Sequence, residues 1–109
     1  MHELSIMQGL VDAVLDRTGE RPVAAVNLRV GSLSGVLPDA MRFCFDVVAA
    51  GTPLAGARLQ IDEPEGVARC RSCAGKFVLP DLILLCPCGS ADVEVLSGRE
   101  LMLMSVEVA

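Results

Sequence analysis

The chain has no tryptophan, no tyrosine and a single histidine. Without tyrosine or tryptophan it has few aromatic faces on which single-stranded nucleic acid could stack. A net charge of −5 also denies it the basic surface that a phosphate backbone requires. No nucleic-acid partner is expected. No apolar run reaches the ~18 residues needed to cross a bilayer, so no membrane span is expected. The chain does not open on a basic stretch followed by an apolar segment, so no secretory leader is expected and the compartment read from the sequence is the cytoplasm. Thiols stay reduced there, and an odd number of cysteines, five, points away from a disulfide framework. One imidazole and no nucleophile–base pair leave nothing to run a reaction, so an enzyme is not expected.

What is present suffices for one small domain with an appendage. Of 109 residues, 52% are hydrophobic. Leu4, Met7, Leu10, Val11, Val14 and Leu15 recur at helical spacing. Ser5 and Gln8 have capping-box spacing, which predicts Ser5 as the N-cap, Met1 to Glu3 as a short tail and Gly19 as the stop. Val26, Leu28 and Val30 alternate with Ala25, Asn27 and Arg29, as a half-buried strand does. Gly31 to Gly35 lacks the lysine and spacing of a phosphate-binding loop and reads as an ordinary strand-to-helix connection. A second helix starts at Pro38, with Met41, Phe45 and Val48 on one face and Phe43 and Cys44 beside them. It stops at Gly51. Strands are predicted at 58–62 and 100–108. In the latter, Met102, Met104, Val106 and Val108 share one face and Leu101 and Leu103 the other, which predicts partial cover on both sides.

Turn-forming breaks at Pro64-Glu65-Gly66 and Ser97-Gly98 bracket a distinct segment. The predicted fold class is α+β. Residues 1–66 and 97–109 form a small mixed β-sheet with two helices, and 67–96 form an inserted zinc-ribbon-like domain. The insertion is expected to enter and leave between neighbouring strands.

That insertion holds Cys70-Arg-Ser-Cys73, twelve further residues, then Cys86-Pro-Cys88-Gly89. Two tight turns that each aim two sulfurs at one point make a tetrahedral thiolate site, which suits Zn(II) and leaves no open position for catalysis. Four-thiolate iron and redox thiols or a disulfide are the alternatives. Lys76 to Leu79 and Leu82 to Leu85 read as two short strands of a hairpin around Pro80-Asp81. The Cys-x-Cys pair is one residue shorter than the usual knuckle. That predicts either a distorted turn or one cysteine that binds less well. Cys44, between two phenylalanines, reads as core.

His2 lies beside the α-amino group of Met1, which a bulky second residue helps to retain. A lone terminal histidine is usually incidental. Yet an amine, deprotonated backbone amides and an imidazole together form a square-planar nitrogen set, the geometry Ni(II) and Cu(II) prefer. Glu3 has three readings: an oxygen ligand, an acceptor that orients the imidazole, or favourable charge at a helix start.

Met1-His2-Glu3-Leu4-Ser5, Arg29 to Gly35 and Phe43-Cys44-Phe45-Asp46 together resemble the HypA/HybF family of hydrogenase nickel-incorporation proteins. So do the paired cysteines followed by Gly89-Ser90-Ala91-Asp92, and the end from Gly98-Arg99-Glu100-Leu101 to Val108. The resemblance spans the chain and departs at Cys86-Pro-Cys88, where the family commonly has two intervening residues. It implies a nickel metallochaperone for [NiFe] hydrogenase maturation. Nickel would be bound through His2 with help from Met1 and Glu3, and structural zinc through Cys70, Cys73, Cys86 and Cys88. It also implies a HypB-type GTPase partner and docking on the hydrogenase large-subunit precursor, with urease accessory proteins as further partners of some members and homodimers among the forms observed. The competing reading is a zinc-ribbon interaction module that transports no metal.

Overall fold

A computed structural model describes residues 2–109; Met1 lies outside the described residues. In chain order the elements are α1 (Glu3–Thr18), β1 (Val23–Val30), α2 (Pro38–Ala49), β2 (Arg58–Asp62), β3 (Gly66–Cys70), β4 (Lys76–Leu79), β5 (Val93–Ser97) and β6 (Leu101–Val108). The molecule is α+β and elongated, 53 × 21 × 18 Å, with one three-stranded sheet toward each end.

The first sheet has the order β2-β1-β6, with β1 parallel to β2 and antiparallel to β6. The apolar stripe of α1 (Met7, Val11, Val14) packs with Met41, Phe45 and Ala49 of α2 on Val26, Leu28 and Val30. Leu54 and Leu59 complete this core. Gly19, at φ +60, ends α1 with its N–H on the Leu15 carbonyl. Pro38 stands at the first helical position of α2, as expected. Cys44 is half-buried against the core, whereas Phe43 is exposed.

Four sequence expectations are corrected. The N-cap of α1 is His2 and not Ser5, so the helix begins at Glu3. Glu3 is held in the helix because its carboxylate reaches across to the start of α2. Favourable negative charge in a first turn acts in the same direction.

The faces of β6 also differ. Leu101 opposes Val30 and Leu103 opposes Leu28, while Ser105 opposes Asn27. Met104 is the extra residue of a bulge, which exchanges the two faces. Leu101, Leu103 and Val106 therefore share the helix-covered face, and Met102 lies on the outer face opposite Arg29. As an edge strand, β6 has less cover than expected, and Leu101 to Met104 are each 40–48% exposed.

The second sheet, order β4-β3-β5, is antiparallel throughout. Its hairpin is β3–β4, and Leu82 to Leu85 form no strand. Pro80 offers no N–H, and Asp81 Oδ1 accepts the Ile83 N–H in a tight turn. Leu82, Ile83 and Leu85 stay exposed.

Finally, β2 and β6 are not neighbours, because β1 lies between them. The Gly31–Gly35 loop that follows β1 consequently runs into the joint between the sheets. Gly31 N–H donates to the Glu100 carbonyl, Ser32 N–H to that of Pro64 and Leu33 N–H to that of Gly98. A Cβ at Gly31 would overlap the Gly98 carbonyl, so only glycine allows this approach. Leu33 passes beyond the joint and is buried with Ala68 and Leu79 in the core of the second sheet.

Candidate metal centres

Cys70 ends β3, and the chain turns back into β4 through Ala74, which takes φ +64. Cys70 N–H donates to the Gly75 carbonyl and Ala74 N–H to the Cys70 carbonyl, both at 2.9 Å. The turn aims the Cys73 N–H at Cys70 Sγ, 3.4 Å away. In the second turn Cys88 N–H reaches Cys86 Sγ, also at 3.4 Å. Cys86 N–H donates to Ser90 and Gly89 N–H to Cys86, both to carbonyls. Contacts of Ser72 with Ser90 at 2.9 Å and of Arg71 with Asp92 at 3.0 Å tie the two turns together.

All four sulfurs lie within 4.8 Å of one another. Cys70 to Cys88 and Cys73 to Cys86 are each 3.7 Å apart. A tetrahedral zinc with bonds of about 2.3 Å has sulfur–sulfur edges of about 3.8 Å, whereas a disulfide needs about 2.0 Å. The separations fit the metal, and the shortened Cys-x-Cys turn still brings both of its sulfurs to the cluster. Cys70 and Cys86 are buried, and Cys73 and Cys88 are exposed.

The thiol chemistry agrees with a cation at the centre. The Cys73 N–H, with help from Ser72, lowers Cys70 to about 6. At Cys86 the Cys88 N–H acts to lower the value, but burial and the three neighbouring sulfurs outweigh it and push the thiol up to about 12. Four clustered thiols do not all ionise unaided, so four thiolates here would need a bound cation to balance them.

At the other predicted site, His2 caps α1 through its backbone, its carbonyl accepting the Ile6 N–H at 3.1 Å. Its side chain makes no capping bond and is exposed. Glu3 Oε2 accepts the Leu37 N–H at 3.3 Å. Its own backbone N–H chiefly, and that of Leu37 in addition, hold its carboxyl below the ordinary value of 4.5. Of the three predicted roles for Glu3, charge at a helix start is the one visible here, and the carboxylate also ties two helix starts together. Sequence reasoning missed Leu37, because a backbone donor leaves no mark in side-chain spacing. It missed Leu33 too, although a lone large apolar residue in a Gly/Ser loop was a usable signal. Ser32 to Leu37 and Pro80 to Ile83 face one another across an open cleft of about 650 Å³.

A cluster of four cysteines beside an α+β sheet of this kind has the make-up of a small metal-handling protein. Residues 1–108 match the family model described as HypA, hydrogenase/urease nickel incorporation, metallochaperone. The chain is 46% identical over 109 residues to the hydrogenase maturation factor HypA of Geotalea uraniireducens, covering 99% of each. It is 41% identical to that of Nostoc punctiforme, covering 99% of this chain and 96% of the relative. Its fold is similar to the solution structure of the Ni metallochaperone HypA from Helicobacter pylori. That similarity has a TM-score of 0.64 at 22% identity, covering 99% and 97% of the two chains. The chain belongs to the HypA family of hydrogenase nickel-incorporation metallochaperones. The family acts in maturation and not in catalysis, and its role implies partners in the hydrogenase pathway. No helix among the described residues is long and apolar enough to cross a membrane.

Proposed function

We propose that this chain carries Ni(II) at its N-terminus in the cytoplasm and passes it on by ligand exchange during [NiFe] hydrogenase maturation. The nitrogen set is the Met1 amine, the His2 imidazole and the backbone amides of His2 and Glu3, in the flat geometry nickel prefers. The observation that carries this reading is at His2. The residue starts a helix, yet its imidazole is spent on neither cap nor core. The Glu3 carboxylate, engaged with Leu37, steadies the segment. Residues 67–96, with Leu33 completing their core, act as a separate unit in which Cys70, Cys73, Cys86 and Cys88 hold structural Zn(II). The partners are a HypB-type GTPase and the hydrogenase large-subunit precursor, with urease accessory proteins and a homodimer as further assemblies.

The test is nickel titration of untagged protein beside two variants, His2→Ala and a chain with one residue added ahead of Met1. Both variants should lose stoichiometric nickel binding while zinc content and circular dichroism match the parent. Unchanged nickel affinity in both would remove the N-terminal carrier reading.

A further inference from the structure

The two cysteine turns are built unequally. Cys70 Sγ accepts the Cys73 N–H at 3.4 Å, and Ser72, one residue before, brings a second N–H to the same turn. Cys86 Sγ accepts the Cys88 N–H alone. Pro87 has no N–H to give, and the next donor along the chain, Gly89 N–H, is spent on the Cys86 carbonyl at 2.8 Å. Each N–H that a thiolate accepts disperses its charge and holds it in place. The missing residue thus costs the second turn one such donor.

Anchorage is unequal as well. The Cys70–Cys73 turn joins β3 to β4, which pair with each other along their length. The Cys86–Cys88 turn sits in the segment 80–92, which has no strand between β4 and β5. The residues leading into it, Leu82, Ile83 and Leu85, are 50–68% exposed. Segments with few buried contacts and no ladder open at lower free energy than paired strands.

We propose that the four-cysteine centre opens at one defined edge. The Cys86-Pro87-Cys88 turn, short of a donor at Cys86, lets go first at its exposed member, Cys88, Cys86 being buried, and segment 80–92 loosens with it while Cys70 and Cys73 keep hold. The inference rests on reading the four cysteines as a zinc centre. It makes the lobe a site with a fast-exchanging side, unlike one closed by two equal turns.

Cys73 and Cys88 are both exposed, so unequal reactivity between them reports anchorage and not access. Zinc-loaded full-length protein is treated with less than one equivalent of N-ethylmaleimide and the adducts are located by mass spectrometry. In this reaction a cysteine sulfur adds to the maleimide double bond, a solvent proton ends on the adjacent carbon, and nothing is oxidised. Cys88 should be labelled several-fold ahead of Cys73. Equal labelling, or Cys73 first, overturns the proposal. A second measurement inserts one glycine between Pro87 and Cys88 and follows zinc transfer to a chromophoric chelator. Restoring one donor to a charged sulfur should slow transfer about tenfold, and an equal or faster rate counts against the unequal edge. Protein that carries no zinc at all would instead defeat the zinc assignment, a distinct outcome read by metal analysis before either step.

Discussion

Glu3 shows how one side chain can serve two helices. Its carboxylate belongs to the first turn of α1 and accepts the first N–H of the approach to α2. Because the folded value is depressed, the tether is fully present above the ordinary 4.5 and is lost as pH falls through the lowered value. The Leu37 amide proton should therefore shift in an NMR titration with a midpoint below 4.5. Glu3→Gln should abolish that titration while leaving α1 helical, and a flat Leu37 signal in the parent would show that the contact does not form in solution. At this scale the four-cysteine cluster was legible. Closely spaced pairs of cysteines carry their chemistry in their identity, and the fold brings all four sulfurs within 4.8 Å of one another. The cap was not legible, because Ser5 and Gln8 satisfy a local rule that a contact from residue 3 to residue 37 overrides.

Among the elements, most of the main sheet could be read from periodicity. The predicted 58–62 coincides with β2, and the second helix begins at Pro38 as expected. The failures share a cause. In β6 a bulge at Met104 breaks a period-two reading, because one extra residue exchanges the faces and no residue type marks it. In the cysteine segment Leu82 to Leu85 has strand composition, but β4 finds its partner upstream, in β3, a pairing that apolar alternation does not mark. Leu33 tests the element-level picture. It lies in the loop between β1 and α2 and is 6% exposed in the core of the second sheet. Leu33→Ala should destabilise that sheet by about 2 kcal/mol or more. Hydrogen exchange at Ala68 and Val95 should speed accordingly while β1 stays protected. Unchanged exchange at Ala68 would mean the loop is not a structural part of the second core.

For the molecule as a whole, the unequal size of the two cores governs what depends on metal. Among the described residues the larger cluster has thirteen buried members, whereas the second has Leu33, Ala68 and Leu79. So small a core is short of what three strands need, and a metal held by the four cysteines would supply the staple. Cys73→Ser should lose zinc and disorder the second sheet while α1, α2 and the first sheet persist. Heteronuclear NMR would show collapse of dispersion confined to the β3–β5 signals, and full retention of those signals together with zinc would refute the ligand assignment. Where β3 begins and β5 ends was legible in the turn-forming breaks at Pro64-Glu65-Gly66 and Ser97-Gly98. The joint was not, since strand order is a tertiary fact: β1 separates the two strands that flank the segment, and its following loop is drawn into the gap. One consequence concerns modularity. A cassette cut at residues 67 and 96 and grafted into another host would leave its hydrophobic plug behind, since Leu33 is encoded more than thirty positions upstream. The donor would be left with a bare leucine on its surface, so any successful transplant must move the Gly31–Gly35 loop as well.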